Sequence, residues 1–314
     1  MTGFVLRRIG QMFIALFGVS IVVFALIHFV PGDPVRIALG TRFDPEIYAA
    51  LVERAGLNDP ILVQYWNWLV GALQGDLGVS FRSGQPVSDI VIQRLPATIT
   101  LAGAALFIAL AVSLPLGIFS ALRSGSKLDY LATTASQVGV SVPDFWAGIM
   151  YILLFSLTLS WLPPSGYTPL SENFWGWLSH LILPAFTVGL ISGSILFRFI
   201  RSAVLEALNQ DYVRTARAKG LSRTAVIRDH VLPNSWIPIV TVTGLQLGFI
   251  LGGVVVVEVI FAWPGLGRLA LLAVQDRDFT VLQGTVLYIA FVFLLINLLV
   301  DIIYGWLDPR IRYD

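Results

Sequence analysis

Cysteine is absent from this 314-residue sequence, and only 12% of the residues are charged. Without cysteine the chain has no disulfide, no thiolate nucleophile and no cysteine-based metal site. A soluble protein has about a quarter of its residues charged, so most of this surface must face a medium other than water. The net charge of +1 gives no argument for nucleic acid as a partner.

Lysine and histidine are scarce as well, with two lysines and three histidines in the chain. Neither Lys127 nor Lys219 follows the glycine that a Walker A phosphate loop requires, so we expect another chain to hydrolyse any ATP. His28, His180 and His230 are far apart and lack metal-ligand spacing. We therefore expect no catalytic residue, no bound cofactor and no metal site in this chain.

Long apolar segments dominate the sequence, in which 56% of the residues are hydrophobic. About 20 mostly apolar residues form a helix that crosses a bilayer. The segment after Arg7 and Arg8 is too long for a signal peptide and is expected to remain as the first span. The sequence thus predicts an all-α, polytopic membrane protein with six transmembrane helices at 9–30, 97–122, 134–161, 177–200, 237–262 and 279–303.

Positive charge predicts the orientation of these spans. With the N-terminus inside, thirteen lysines and arginines fall on the inner side and seven on the outer side, five of these in the long segment 31–96. Long loops translocate largely regardless of charge, so the short connections decide. The connection with Arg123 and Lys127 is basic, whereas the one around Glu172 is not. We expect residues 1–8 and 304–314 to be cytoplasmic, an N-in, C-in topology.

The outer segment 31–96 is long enough to fold on its own. Asp44-Pro45-Glu46 is typical of a helix start, and that helix should end near Gly56. Asn58-Asp59-Pro60 precedes a second expected helix at 61–73. Loops beyond about 15 residues usually have a function. Two interpretations stay open, namely a cap that stabilises the bundle and a docking surface for an external partner.

The inner segment 201–236 carries an ordered series of helix signals. Asp211 can cap a short helix, and Gly220 can supply the left-handed residue that ends it. Ser222 can cap a second short helix, which Pro233 is expected to stop because proline cannot donate the backbone hydrogen bond. The pattern predicts two short helices that meet at a glycine on a basic cytoplasmic surface.

This segment resembles the EAA loop of ABC importer permeases, the cytoplasmic element that docks onto the ATPase. The general pattern is Glu-Ala-Ala, three residues, Gly, nine residues, an aliphatic residue, any residue and Leu-Pro. Here Arg214-Thr215-Ala216, Gly220, His230 and Leu232-Pro233 keep the spacing, while the first two residues and the aliphatic position depart from it. Residues 211–221 are similar to the peptide branch of the family.

The resemblance covers nearly the whole chain, through Pro31-Gly32-Asp33-Pro34, Gly75-Asp76-Leu77-Gly78 with Ser80-Phe81, Arg94-Leu95-Pro96-Ala97-Thr98, Glu258-Val259-Ile260-Phe261 and Pro264-Gly265-Leu266-Gly267. These motifs look like the first permease subunit of dipeptide and oligopeptide importers. Similar permeases serve nickel, glutathione and opine importers, so import of nickel or another small solute remains an alternative.

The resemblance implies a MetI-like permease fold, with its core at 95–303, in the cytoplasmic membrane of a bacterium. The implied partners are a second permease subunit, one or two cytoplasmic ATPase subunits, which bind the ATP and magnesium, an extracytoplasmic substrate-binding protein and the lipid bilayer. The implied ATPase-coupling residues are Arg214, Thr215, Ala216, Arg217, Ala218, Lys219, Gly220, Leu221 and Ser222.

Two acidic residues within the predicted spans are candidates for the transport pathway or its gate, because ionisable residues in spans tend to be functional. Asp144 follows Pro143 and would lie in the first turn of a half-helix, near its positive dipole end. Glu258 lies five residues before Trp263, so an ion pair or a side chain reaching the outer interface is an alternative to a gating role.

Other classes of membrane protein predict features that we do not find in the sequence. A stand-alone secondary transporter would show inverted repeats and paired charges within its spans. A membrane enzyme would need clustered histidine or acidic residues at the inner face, and a sensor would need an attached signalling domain. The resemblance therefore favours a non-catalytic permease subunit of an ABC importer.

Overall fold

The computed structural model describes residues 2–29, 33–39, 44–54 and 56–307, and this part of the chain contains helices and turns but no named β-strand. Pro31, Gly32 and residues 308–314 of the expected tail lie outside it. The α-helices are α1 (Thr2–Phe29), α2 (Pro34–Leu39), α3 (Pro45–Arg54), α4 (Ile61–Leu73), α5 (Val87–Leu122), α6 (Lys127–Ser141), α7 (Asp144–Tyr151), α8 (Phe174–Leu208), α9 (Asp211–Ala218), α10 (Arg223–Val226), α11 (Leu232–Ile260), α12 (Leu266–Gln275) and α13 (Phe279–Leu307). Two π-helical segments, Ile152–Thr158 and Ile227–Val231, extend α7 and α10.

Five helical stretches are long and apolar enough to cross a membrane, at Gly3–Leu26, Val87–Leu122, Phe174–Leu208, Arg223–Gly252 and Phe279–Ile303. A sixth candidate is the pair Lys127–Ser141 and Asp144–Thr158, which is bent by 102° at its break. The break lies at Pro143, where the sequence predicts an interruption. Val142 is extended, with φ −85° and ψ 124°, because a following proline disfavours the helical conformation.

Two helices extend beyond the predicted spans, because helices end at caps and turns, not where hydrophobicity ends. Helix α5 begins at Val87 instead of 97, and Pro96 lies inside it. Helix α8 continues to Leu208, so Arg201 belongs to this helix and not to the inner loop. The inner connection therefore begins at Asn209.

The chain forms two compact units. The first comprises 99–263 and 299–307, with α8 at its centre, packed against α6, α7 and α11. Small residues let α8 approach α5 closely, as in many membrane helix pairs. A Cβ atom on Gly189 would lie 2.8 Å from the carbonyl oxygen of Ala105, and one on Gly193 would lie 3.2 Å from Ala109 Cα.

The second unit comprises the described residues of Thr2–Thr98 and Pro264–Leu298. Helix α4 has the predicted bounds and contacts α1, where the Tyr65 and Ser20 hydroxyls are 2.9 Å apart. The rings of Tyr65 and Phe24 also meet edge to face, with 5.2 Å between centroids. Packing of α4 against α1 is what the interpretation of the outer segment as a stabilising cap predicts. Trp66 on the same helix is nevertheless 64% exposed.

Candidate functional site

The first short helix of the inner connection, α9, carries all of the first five predicted coupling residues, 214–218. Asp211 is the first residue of the helix and makes no capping hydrogen bond, so its predicted role as a cap is wrong. Val213 and Ala216 are buried, whereas Arg214, Thr215 and Arg217 are exposed. One face of α9 therefore anchors the helix and the other presents polar and basic side chains.

Gly220 has the expected left-handed conformation, with φ +81°. The Leu221 N–H donates to the Ala216 carbonyl at 3.4 Å, and the Gly220 N–H donates to the Arg217 carbonyl at 3.0 Å. These bonds satisfy carbonyls at the end of α9, as helix ends with a left-handed glycine commonly do. A Cβ atom on Gly220 would meet nothing within 4 Å, so only backbone strain opposes a side chain here.

Ser222 caps the second helix as predicted, because its hydroxyl accepts a hydrogen bond from the Ala225 N–H at 3.3 Å. The predicted stop at Pro233 is wrong. The π-helical segment Ile227–Val231 leads directly into α11, and Pro233 lies in the first turn of α11. Proline is tolerated in the first turn of an α-helix, which here directly follows the π-helical segment. The second short helix and the fifth span are therefore one continuous helical stretch.

Apolar packing joins the inner connection to the ends of two long helices in the first unit. A single buried cluster contains Val213 and Ala216 from α9, Val226 and Val231 from the next helical stretch, Ala121 from α5, and Val204 and Ala207 from α8. The Arg223 guanidinium also donates to the Leu122 carbonyl at 3.0 Å, which satisfies a carbonyl at the C-terminus of α5. Helix α9 is therefore anchored on the ends of α5 and α8.

An ion pair between Asp129 and Arg201 lies beside this cluster, and the sequence analysis missed its pairing. Arg201 Nε donates to Asp129 Oδ1 at 2.7 Å and Nη2 donates to Oδ2 at 2.9 Å. The Ser120 hydroxyl and the Gly125 N–H also donate to Asp129. Bidentate pairs of this kind are strong. The ion pair connects the start of α6 to α8. Because its two residues are 72 positions apart, no local pattern in the sequence predicts that they meet.

Asp144 lies in the first turn of α7, directly after the bend, and is half-buried. The adjacent residues Val142, Trp146 and Ala147 line a cavity of about 370 Å³ within the first unit. Ser113 also lines it, and its buried hydroxyl has no hydrogen-bond partner in the described part of the chain. Asp144 itself does not line the cavity, although residues on both sides of it in sequence do.

Glu258 lies in α11 and is fully buried, with 0% of its surface exposed. Trp263 is also buried, and its ring meets that of Tyr167 edge to face at 4.8 Å. The Glu258 side chain therefore does not extend into solvent in this structure. The nine coupling residues, Asp144 and Glu258 do not form one site.

Three motifs of the resemblance come together in the second unit. Leu77 and Leu266 belong to one buried cluster. The Leu266 N–H donates to the Thr98 hydroxyl at 2.8 Å. The Ser80 hydroxyl donates to the Asp278 carboxylate. The glycine and proline signals around 75–78, 94–98 and 264–267 are weak singly, and the fold gives them a shared structural role.

The remaining motif residue, Asp33, organises the start of the outer segment. Burial tends to raise the pKa of Asp33, but the hydroxyl of Tyr48 and the N–H groups of Arg36 and Val35 donate to it, and the balance lowers its pKa. The same contact raises the pKa of Tyr48. Asp33 therefore connects α2 to α3 as a charged acceptor.

These features define a multi-pass helical membrane protein with an ordered basic element anchored on its long helices. The family model of the binding-protein-dependent transport system inner membrane component matches residues 113–313, and that of the N-terminal membrane component matches residues 1–102. The chain belongs to this family of binding-protein-dependent transport permeases of the bacterial inner membrane.

Curated relatives match over the full length of the chain. The dipeptide transport system permease protein DppB of Escherichia coli K12 is 41% identical, covering 100% of this chain and 99% of the relative. A putative peptide transport system permease protein of Brucella abortus is 42% identical over 100% of both chains. The di/tripeptide transport system permease protein DppB of Pseudomonas aeruginosa is 41% identical, again with complete coverage.

Solved structures confirm the MetI-like fold. A chain of the methionine ABC transporter MetNI in an inward-facing conformation matches with a TM-score of 0.59 at 16% identity. The match covers 70% of this chain and 96% of the MetNI chain. The all-α, multi-pass permease fold expected from the sequence is therefore confirmed.

Proposed function

We propose that this chain is one of two permease subunits of an ATP-driven importer of short peptides. The full-length similarity to permeases of dipeptide and peptide transport systems carries this proposal. The chain itself is non-catalytic in this proposal. ATP and Mg²⁺ are bound by one or two separate ATPase subunits, and an extracytoplasmic binding protein delivers the peptide.

In this proposal residues 214–222 dock onto the ATPase. Arg214, Arg217 and Lys219 are exposed on α9 and its C-terminal cap, while Val213 and Ala216 hold the helix on the ends of α5 and α8. A displacement of α9 by the ATPase therefore acts on the membrane helices through buried contacts. Rigid-body motions of this kind are a common way to expose a transport site to alternate sides.

Asp144 is our candidate for the transport pathway, because it is half-buried at a helix break and residues on both sides of it in sequence line a cavity. Non-helical backbone at membrane depth is tolerated where it lines a cavity or is buried in protein. Glu258 is the weaker candidate for a gate, since its side chain is fully buried away from solvent.

Uptake by proteoliposomes tests this function. The chain would be reconstituted with its second permease, ATPase and binding protein, and uptake of radiolabelled alanyl-alanine would be followed with ATP inside. We expect ATP-dependent uptake that excess unlabelled dipeptide suppresses and excess NiCl₂ does not. Uptake of ⁶³Ni²⁺ without uptake of alanyl-alanine would replace the peptide with nickel as the cargo. Peptide uptake without ATP would contradict the ABC importer.

A further inference from the structure

Helix α4 is an apolar helix that is too short to be a span. It contains no charged residue, while Asp59 precedes it and Asp76 follows it. Its 13 residues extend about 20 Å, whereas the hydrocarbon of a bilayer is about 30 Å thick. An apolar helix of this length is usually a core helix or an interfacial segment. Every residue of α4 is described and none is buried, so α4 is not a core helix.

The helix has an apolar face and a polar face on opposite sides. The apolar face consists of residues spaced four, three and four apart, as on one side of a helix, namely Leu62, Trp66, Leu69 and Leu73. Leu62 and Leu73 are 78% and 75% exposed, and Trp66 is 64% exposed. Gln64 and Asn67 lie on the opposite face, where both line a cavity within the second unit. The polar face is therefore directed to the protein and the apolar face away from it.

The flank between these two faces packs on the side of α1. The hydroxyl of Tyr65 is 2.9 Å from that of Ser20. The ring of Tyr65 meets that of Phe17 edge to face, with 6.4 Å between centroids. The rings of Trp68 and Phe24 are 5.9 Å apart. Helix α4 is thus held beside α1 and not above its end.

The contacts with α1 also indicate the depth of α4 in the membrane. Ser20 and Phe24 lie six and two residues before the end of the candidate span Gly3–Leu26, which is about 9 and 3 Å along a helix. His28 lies beyond that end, and its Nε2 is 3.2 Å from Oε1 of Gln64. Helix α4 therefore lies level with the place where α1 leaves the hydrocarbon. With the predicted N-in topology this place is the outer leaflet.

The apolar face of α4 continues the exposed apolar surface of α1. Exposed apolar side chains on a membrane span suit contact with lipid, and those of α1 are Phe13, Ile14, Phe17, Ile21, Val22 and Leu26. Phe17 also contacts Tyr65, so the two surfaces meet. Tryptophan and tyrosine are enriched where membranes meet water, and α4 carries three such residues in Tyr65, Trp66 and Trp68.

We propose that α4 is an in-plane helix of the outer leaflet, with lipid as the partner of its exposed face. Leu62, Trp66 and Leu73 contact acyl chains, while Gln64 and Asn67 face the rest of the outer segment. Amphipathic helices with one apolar face lie in the membrane interface in this way. Helix α4 then anchors the outer segment on the membrane and does not dock a soluble binding protein. The inference does not depend on the cargo of the transporter.

Spin labels test the proposal, and the absence of cysteine allows single-cysteine variants without further changes. Leu62→Cys and Leu73→Cys would each be labelled with a nitroxide in the complex of both permeases and the ATPase, in nanodiscs of phosphatidylethanolamine and phosphatidylglycerol. Power saturation compares collisions with O₂, which concentrates in hydrocarbon, and with the nickel chelate NiEDDA, which stays in water. We expect a severalfold higher ratio of O₂ to NiEDDA accessibility at both positions than in the water reference below.

Two matched variants provide the references. Val22→Cys is the lipid reference, because Val22 is 59% exposed on α1 and lies four residues before the end of the same candidate span. Ser83→Cys is the water reference, because Ser83 is exposed in the outer segment outside the helices. The accessibility ratios at Leu62 and Leu73 should be closer to that at Val22. Ratios closer to that at Ser83 would overturn the proposal, because the face would then lie in water.

A protein partner on the same face would give a different result. Low accessibility to both O₂ and NiEDDA would show that the second permease covers α4, which overturns lipid as the partner. Accessibility to O₂ that disappears when the substrate-binding protein is added would identify a docking surface and would also overturn the proposal. Unchanged O₂ accessibility in its presence is the expected result.

Discussion

Gly220 is the residue at which the inner connection depends most on backbone conformation. A side chain at its φ of +81° is opposed by about 1–2 kcal/mol, although space around the position is open. Gly220→Val should therefore distort the turn between α9 and α10 without creating a clash. We expect normal membrane insertion, a sharp loss of peptide uptake and a parallel loss of transport-coupled ATP hydrolysis.

Gly220→Asn is the matched control, because asparagine adopts the left-handed conformation more readily than other non-glycine residues. It should keep most of the uptake that Gly220→Val loses. Normal uptake by Gly220→Val at normal abundance in the membrane would contradict the coupling role of residues 214–222.

Charge reversal at Arg217 tests the exposed face of α9 separately from its backbone. Arg217 is exposed in the last turn, and exposed charges contribute little because water and salt screen them. Arg217→Glu should therefore reduce uptake mildly, with a larger effect at low ionic strength than at high. A loss that does not vary with salt would argue against an electrostatic contact with the ATPase.

The ion pair between Asp129 and Arg201 should matter for stability. The two side chains are 5% and 26% exposed, and removal of Arg201 leaves Asp129 buried without its main cation. Arg201→Ala should cost about 2 kcal/mol, less than the roughly 3–5 kcal/mol of a fully buried pair. A thermal unfolding curve of the purified protein measures this loss.

Arg198→Ala is the control for this pair, because Arg198 lies on the same helix and is exposed. Its melting temperature should remain close to that of the unmodified protein. Equal melting temperatures for the two variants would show that the Asp129 contact contributes nothing measurable.

At the scale of elements, the close packing of α8 on α5 depends on glycines of α8, which have no side chain. A Cβ at Gly189 would lie 2.8 Å from a backbone oxygen of α5, and backbone cannot move aside as a flexible side chain does. Gly189→Ala should therefore destabilise the protein by about 1–3 kcal/mol, as overpacking usually does. A lower melting temperature in detergent would report it.

Gly103→Ala on α5 is the control, since a Cβ there would meet nothing within 4 Å. Alanine is favoured over glycine in a helix by roughly 0.5–1 kcal/mol, so this variant should be unchanged or slightly more stable. If both variants melted at the same temperature, the close approach at Gly189 would not limit the packing of α8 on α5.

The elements also show where proline acts as a stop and where it does not. Pro143 coincides with a 102° bend, as expected. Pro233, in contrast, lies in a continuous helical stretch, because the π-helical segment Ile227–Val231 precedes it. The side chains of Asn234 and Ser235 accommodate this segment by donating to the carbonyls of His230 and Val231 at 2.7 and 2.8 Å. The low helix propensity of proline does not predict these two hydrogen bonds.

For the whole molecule, the charge pattern predicts the topology of the spans. A reporter that is active only outside the cytoplasm should work when fused after Gln85 and fail when fused after Arg223. Gln85 lies in the outer segment before α5, and Arg223 begins α10. The reverse pattern of activity would place the predicted coupling residues outside the cell and would contradict ATPase docking.

The sequence alone determined the membrane class, the family resemblance and the local signals of the inner connection. The length of an apolar segment can be counted directly along the chain, so the membrane class follows from the sequence. The Gly220 turn and the Ser222 cap depend on neighbouring residues, so they can be predicted from the local sequence as well. Only the tertiary structure decided which distant groups meet. The Asp129 and Arg201 pair and the burial of Glu258 depend on packing between helices far apart in sequence, and no local pattern encodes that packing.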